Sequence, residues 1–276
     1  MNKDFVGLIE IEGSHISPFE TFPYISIDLE EVKIYEQKEK LDTIVDVHEI
    51  FLGFDLWTII SGEMEIKDIK LKNGSLYLVQ HEDGDFNITK ALASQTEEEV
   101  DPNEEFHLDL HEIEIENIDV LKINEANNMT IEAFITDADS KFRTASDHVY
   151  ASLDSKFELN IIIDNDTTFI KHKHFDVTTE IDFQKGVDIM TIEPTVVFLE
   201  GSEFNMEGSV DFLKDALVDL HFSGNKKDFS LVMSMAPEEL LPVLEKYENS
   251  GQIFFDATVK GSTMNGGKPA IEATFG

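Results

Sequence analysis

Residues 203–212 read Glu-Phe-Asn-Met-Glu-Gly-Ser-Val-Asp-Phe. The apolar side chains of Phe204, Met206, Val210 and Phe212 share one phase, and polar or acidic residues stand between most of them. A period of two places the apolar side chains on one face of a β-strand and the acids on the other. This stretch therefore predicts a strand with one apolar face and one face toward water.

The same alternation recurs in segment after segment. It is found at residues 106–110, 157–163 and 253–259, and the segments follow one another at spacings of roughly 8–15 residues, which is typical of an antiparallel sheet. The apolar phase slips near Ile113 and again at Ile118, and such slips predict bulges or a bend. The sequence therefore predicts a mainly β fold, a long curved antiparallel sheet with one or two short helices.

Two dipeptides predict hairpin turns. Asn73-Gly74 stands between alternating apolar residues, where this dipeptide is a strong signal for a two-residue turn. Asp83-Gly84 predicts a second turn, after which Phe86 and Ile88 would begin another strand. Both turns would join neighbouring antiparallel strands.

One helix is predicted, over residues 237–248. Pro237 suits the first helical position, two glutamates follow it in the first turn, and a glycine lies beyond the end. Pro242 should kink this helix because proline has no N–H to donate.

The acidic segment 94–105 (Ser-Gln-Thr-Glu-Glu-Glu-Val-Asp-Pro-Asn-Glu-Glu) predicts a linker. It separates an N-terminal β region, residues 1–93, from a continuing β region, residues 106–276. Because the same alternation is present on both sides, the two regions are predicted to form one elongated fold.

The charge balance is strongly acidic, with 21 basic and 57 acidic residues and a formal net charge of −36. Such a surface repels phosphate, which excludes nucleic acid as a partner and argues against polybasic attachment to anionic lipid. Because the acids alternate along the strands, they predict a solvated outer face. Binding of divalent cations by that face is the alternative.

The chain has no cysteine, which excludes disulfides, thiol catalysis and zinc–thiolate sites. No run approaches the about 18–20 apolar residues of a membrane span, and residues 1–10 are too acidic for a signal peptide. We therefore expect either a cytoplasmic protein or the soluble segment of a longer one.

Histidines and acidic turns give no convincing metal site. His107 and His111 lie in a segment of strand rhythm, where a spacing of four separates them widely. His172 and His174 flank a lysine, without a cysteine or an HExxH motif nearby. The acidic turn at Asp83 lacks the glycine and the glutamate of a calcium loop. No metal and no cofactor are predicted.

No catalytic motif is present. The sequence lacks a GxSxG elbow, a Walker loop, a dinucleotide-binding GxGxxG and a DFG motif. Carboxylate pairs for glycoside hydrolysis cannot be singled out, because acids occur throughout the chain. The absence of a nucleophile with its base predicts that the protein is not an enzyme.

Three stretches, taken in order, resemble the AsmA family of bacterial envelope proteins. The first is 18–34, where Phe22-Pro23 leads into alternating apolar residues, similar to the Phe-Pro segment that follows the family's membrane anchor. The second is the predicted pair of hairpins at 69–87. The third, 204–261, is similar to the family's glycine-punctuated strands and short proline-containing helix.

The resemblance implies a taco-like β-groove with an apolar concave side, which binds or conducts lipid between the inner and outer membranes. The implied partners are a phospholipid or another acyl lipid, the inner membrane and other envelope proteins. The implied location is the periplasm, with the full-length protein anchored in the inner membrane. The family's N-terminal transmembrane helix is missing from this sequence and its C-terminal region is short, so a fragment truncated at both ends is expected.

The alternation by itself points to the same kind of surface. A one-sided apolar sheet with little helix over it must close on itself, pair with another sheet or hold an apolar ligand. Each buried CH2 of an acyl chain contributes about 0.8 kcal/mol, so a chain of ordinary length contributes roughly 10 kcal/mol before ordering costs. The residues predicted to line the groove are Val45, Val47, Phe54, Met64, Ile66, Leu76, Leu78, Phe157, Leu159, Ile161, Phe204, Met206, Val210, Phe212, Val218, Leu220, Phe222, Ile253 and Phe255.

Three alternatives stay open at this stage. The apolar faces of two sheets could fill each other in a β-sandwich, without a ligand. The acids could bind calcium in a structural or adhesive extracellular β-domain, which predicts stabilisation by calcium through Asp83 or Asp166. Two carboxylates facing one cleft could hydrolyse a glycan.

Overall fold

The chain folds as one sheet of fourteen strands in a computed structural model, which describes residues 6–17, 24–39, 42–55, 65–93, 110–168, 170–227, 229–247, 251–264 and 267–276. The strands are β1 (Leu8–Ser17), β2 (Tyr24–Tyr35), β3 (Thr43–Asp55), β4 (Ile66–Gln80), β5 (Glu112–Asn124), β6 (Met129–Ala145), β7 (His148–Ile163), β8 (Asp166–Thr167), β9 (Lys173–Gln184), β10 (Ile189–Leu199), β11 (Ser202–Asp211), β12 (Leu217–Lys226), β13 (Ile253–Ser262) and β14 (Ala270–Phe275). Thirteen strands neighbour one another in chain order from β1 to β14, and β8 lies off this path beside β7. The sheet is curved and unclosed. The predicted mainly β fold with a long curved sheet is confirmed, and the described strands do not form the two sheets of a β-sandwich.

All neighbouring strands are antiparallel except β4 and β5, which are parallel. The connection between them contains helix α1 (Asn87–Leu92), in the segment where the sequence predicted a strand with Phe86 and Ile88. That prediction is wrong because β5 occupies the edge of β4 that a hairpin partner would need. The Asn87 side chain instead anchors the segment to the backbone of β4. It accepts a hydrogen bond from the Val79 N–H at 3.1 Å and donates one to the Tyr77 carbonyl at 2.9 Å. The predicted linker, 94–105, lies outside the described residues.

The helical region before β13 differs from the predicted single helix. Helix α2 (Ser230–Met235) comes first, followed by a 3-10 turn (Glu238–Leu240) and the short helix α3 (Leu241–Leu244). Pro242 lies in the first turn of α3, where its missing N–H leaves no hydrogen bond unmade. A further 3-10 turn (Phe212–Lys214) joins β11 to β12. The prediction over 237–248 was therefore wrong in its bounds, since the chain breaks the helix where it was expected to kink.

The predicted hairpin at Asn73-Gly74 is also wrong, because both residues lie inside the continuous strand β4. Asn73 adopts a left-handed backbone with φ 54°, and Asn117 beside it in β5 does the same with φ 53°. The amide of Asn117 donates to the Asn73 side-chain oxygen at 3.2 Å. We call the adjacent residues Glu12, Glu31, His48, Asn73 and Asn117, which cross β1 to β5, the kink row.

The kink row shifts the alternation by one residue and so keeps the apolar side chains on one face. Leu71 and Leu76 stand on either side of Asn73. Strict alternation would place their side chains on opposite faces of the strand, yet both pack against the same buried cluster. Ile115 and Ile118 do the same around Asn117. The predicted bend at Ile118 is confirmed.

Two buried apolar clusters form the core of the described residues. The first cluster contains Ile44, Val45, Val47, Ala91 and Ile118, and the second contains Phe204, Leu231, Phe255 and Ala257. Ala91 belongs to α1 and Leu231 to α2, so each helix covers part of the same side of the sheet. We call that side the inner face, and the opposite side the outer face.

The sheet curls far enough for distant strand connections to meet. The Asn127 side chain, in the turn between β5 and β6, donates to the Gly267 carbonyl between β13 and β14 at 3.1 Å. Lys268 forms an ion pair with Asp164, after β7, at 3.0 Å. The connection near the C-terminal edge thus packs against the middle of the sheet.

Candidate functional site

Strand pairing places the predicted groove residues on the inner face. Directly paired residues in neighbouring strands project to the same side of a sheet. Leu76 pairs with Val45 in β3 and with Val120 in β5, and Val120 pairs with Ala133 in β6. Ala133 in turn pairs with Leu159 in β7. One apolar row therefore runs without interruption across five strands.

Leu159 pairs with Lys173 in β9, and the apolar face continues through the C-terminal half of the sheet in the neighbouring rows. Phe157 pairs with Phe175 in β9, and their rings stack with centroids 5.2 Å apart. Phe204 pairs with Val197 in β10, and Phe255 pairs with Gly224 in β12. The Phe204 and Phe255 rings meet edge to face at 5.6 Å.

The nineteen predicted groove residues fall into four groups by exposure. Val45, Val47, Phe54, Phe204, Val218 and Phe255 are buried. Ile66, Leu76, Leu78, Phe157, Leu159, Ile161, Met206, Val210, Leu220, Phe222 and Ile253 are half-buried. Phe212 is exposed and lies on the 3-10 turn after β11, where its ring contacts Phe183 at 6.0 Å. Met64 lies outside the described residues.

Burial separates core residues from residues with a free surface. Val45 and Val47 lie in the first cluster with α1, and Phe204 and Phe255 lie in the second cluster with α2. The half-buried group keeps part of its surface uncovered, although Leu76 and Leu78 pack against the first cluster and Phe222 packs against the second. These side chains are the ones available to a ligand.

Sequence reasoning missed several inner-face residues. Ile131 and Ile135 in β6, Ile181 and Phe183 in β9, and Ile192 in β10 all pair with inner-face partners and are half-buried. Their alternation was visible in the sequence, but register shifts near residue 136 and between Ile192 and Val196 interrupt it. Those shifts hide that the segments on either side belong to one face.

Charge is divided between the two faces. Outside the kink row, the carboxylate found at a described inner-face strand position is that of exposed Asp166 in the two-residue strand β8, although the chain has 57 acidic residues. Four lysines occupy inner-face positions, Lys67, Lys122, Lys173 and Lys226. Desolvation by burial lowers the pKa of Lys122. An apolar face almost free of acids accepts an acyl chain with little electrostatic cost.

The outer face carries the acids, in pairs with basic side chains. His148 bonds Asp182 at 2.7 Å, and this hydrogen bond raises the histidine pKa. His221 bonds Asp256 at 2.9 Å, which raises its pKa in the same way. Burial raises the pKa of Asp68, which pairs across from Gly53. The outer face is therefore a solvated polar surface whose acids lie beside basic side chains.

Lysine side chains form ion pairs with the acids of the two acidic turns. Asp83 accepts from Lys90 at 3.0 Å and from the Asp85 N–H, and both contacts lower its pKa. The ion pair of Lys268 with Asp164, together with a hydrogen bond from Asn128, lowers the pKa of that carboxyl. Among the described residues, one group of three acids lies close together, namely Glu112, Glu114 and Asp139, and it is interleaved with Lys70 and Lys141.

A single unclosed β-sheet with one continuous apolar face and one acidic face defines a β-groove protein. The model of the AsmA family matches residues 9–215, which is more than half of the chain. The chain therefore belongs to the AsmA family, which is associated with the bacterial envelope. A comparison with the curated proteins found no match. Within the described residues, no helix has the length and apolar character needed to cross a bilayer.

Proposed function

We propose that this chain binds lipid and shelters its acyl chains along the inner face. The observation that carries the proposal is the apolar inner face that extends from β3 to β13, on which most of the predicted groove residues are half-buried. A soluble protein that leaves such a surface open to water gains free energy when an apolar ligand covers it.

The expected mechanism is hydrophobic shelter, without a chemical step. Each CH2 that leaves water contributes about 0.8 kcal/mol, which acts equally along the whole face and needs no catalytic group. Half-buried Leu159, Ile181 and Leu220 are examples of side chains that would contact the acyl chain. The protein is accordingly proposed to be a carrier of lipid and not an enzyme.

Membership of the AsmA family supports a place for this activity in the cell envelope. We propose a periplasmic location, attachment to the inner membrane through the full-length protein, and transfer of phospholipid or another acyl lipid in outer-membrane biogenesis. Other envelope proteins are proposed as partners. An open groove suits transfer because its ligand can enter and leave along the length of the sheet.

Lipid loading tests the proposal. The purified chain is incubated with vesicles of phosphatidylethanolamine and phosphatidylglycerol, separated from them, and weighed by native mass spectrometry. The wild-type protein should carry acyl lipid. A variant with Leu159→Asp and Leu220→Asp should lose bound lipid by about tenfold or more, because a carboxylate in an apolar site costs several kcal/mol.

The matched control places the same change on the outer face. Phe134 and Phe198 are 39% and 41% exposed and pair with Asp119 and Asp176, so Phe134→Asp with Phe198→Asp should keep wild-type loading. Circular dichroism would verify the fold of each variant. A folded wild-type protein without lipid, or equal loading of the two double variants, would contradict the proposal.

A further inference from the structure

One lysine stands on the apolar inner face without an acidic neighbour. Lys122 lies in β5 between Leu78 of β4 and Ile131 of β6, both of which are half-buried. Its ammonium nitrogen lies 5.5 Å from the centre of the Phe86 ring, just before α1. The side chain is therefore held at the inner face and not at the acidic outer face.

The other inner-face lysines are already engaged. Lys67 forms an ion pair with Glu65 at 2.8 Å. Lys173 donates to the Ala236 carbonyl at the end of α2, at 2.7 Å, and Lys226 forms an ion pair with Glu203 at 2.8 Å. Lys122 has no carboxylate or carbonyl partner among the residues that the structure describes. A half-buried ammonium in this position gains from an anion that the protein itself does not supply.

Lys122 marks a boundary along the groove. Beyond it, β4 and β5 end in Gln80 and Asn124, which are buried and joined by a hydrogen bond of 3.0 Å. Ile118 of β5 is fully buried in the first cluster, whereas Ile131 of β6 and Ile161 of β7, which continue the row from Lys122, are half-buried. The three strand spacings from β5 to β9 cover about 14 Å, which is close to the roughly 15 Å that the acyl chains of one leaflet span, half of a bilayer core.

We infer that Lys122 binds the anionic headgroup of a lipid whose acyl chains lie on the half-buried inner face of β6, β7 and β9. The inference rests on the proposed function and narrows the ligand to lipids with a phosphate or carboxylate headgroup. The outer face, which carries the excess of negative charge, would repel the same headgroup. The polar end at Gln80 and Asn124 and the half-buried apolar surface beside Lys122 match the two parts of such a lipid.

The experiment compares two lipids with identical acyl chains. The protein is incubated with phosphatidylcholine vesicles that hold equal amounts of phosphatidic acid and diacylglycerol, and the bound lipids are measured after separation. Wild-type protein should retain phosphatidic acid preferentially. Lys122→Met should lower the ratio of phosphatidic acid to diacylglycerol about tenfold, the usual size of a charge-assisted hydrogen bond, and Lys122→Arg should preserve it.

Lys156→Met is the matched control, because Lys156 is exposed on the outer face of β7, and it should leave the ratio unchanged. Equal binding of the two lipids by wild-type protein, or an unchanged ratio in Lys122→Met, would overturn the inference and leave the proposed function intact. Absence of any bound lipid would overturn both. Displacement of phosphatidic acid by soluble glycerol 3-phosphate at a similar concentration would identify a site for free anions and overturn the lipid assignment.

Discussion

Single residues with left-handed backbone decide how the apolar face crosses the N-terminal half of the sheet. Glu31, Asn73 and Asn117 have φ values of 50°, 54° and 53° within continuous strands. Asparagine tolerates this conformation better than most residues, which explains its presence in β4 and β5. Each residue shifts the alternation where its neighbours shift too, so the apolar row stays unbroken.

Replacement of Asn73 should reveal the cost of this backbone. Asn73→Ala and Asn73→Gly both remove the hydrogen bond to Asn117, but only alanine places a Cβ in the left-handed conformation. We expect the alanine variant to be less stable than the glycine variant by about 1 kcal/mol in the free energy of unfolding. Urea unfolding monitored by circular dichroism measures the difference, and equal stabilities would contradict the assignment of a backbone role.

The short helices α1 and α2 each cover part of the inner face, and they thereby determine where the groove is open. Leu231 in α2 is completely buried and packs against Phe204 and Phe255. Gly224 makes the close approach possible, since a Cβ there would lie 3.1 Å from Leu231 and 3.2 Å from Phe204. The helix is thus a structural cover for the second cluster.

Truncation of Leu231 should destabilise this cover. Leu231→Ala should lower the free energy of unfolding by about 2–5 kcal/mol, because a fully buried leucine leaves a cavity. Leu240→Ala is the control, since Leu240 is 51% exposed and its truncation should change stability by about 0.5 kcal/mol or less. Urea unfolding of the two variants checks the prediction, and similar losses in both would contradict the packing of α2.

The molecule as a whole separates charge from apolar surface. Alternation sends most acids of the described strands to the outer face, in a chain whose net charge is −36. Like charges at this density repel one another and oppose the folded state. The ion pairs of Lys90 with Asp83 and of Lys268 with Asp164 neutralise the acidic turns that suggested calcium.

Salt should therefore stabilise the protein without specificity. The melting temperature should rise as NaCl increases from about 0.01 M to 1 M, a range over which the screening length falls from about 30 Å to 3 Å. CaCl2 at equal ionic strength should produce a similar rise, because no dedicated calcium site is expected. A calcium-specific increase that disappears in Asp83→Ala or Asp166→Ala would support the calcium-binding alternative instead.

Local predictions failed where a residue has more than one structural use. Asn73-Gly74 suits both a hairpin turn and a left-handed kink, and the sequence around it does not distinguish the two. The segment after Asp83-Gly84 became α1 because β5 occupies the edge of β4, a fact about strand order that local sequence does not contain. Of the predicted groove residues, Val47 and Phe204 differ from Leu159 only in burial beneath or beside a helix, which depends on tertiary packing.

The sequence by itself determined that strands would form and which side chains would share a face, because a period of two is a property of the backbone alone. It determined the acidic outer surface for the same reason. Only the tertiary structure decided that these strands join in one unclosed sheet with a parallel pair formed by β4 and β5, and that two helices leave part of the apolar face uncovered. Alternation specifies which face of a strand is apolar, but it does not specify which strand lies beside it. Strand order depends on contacts between residues far apart in the chain.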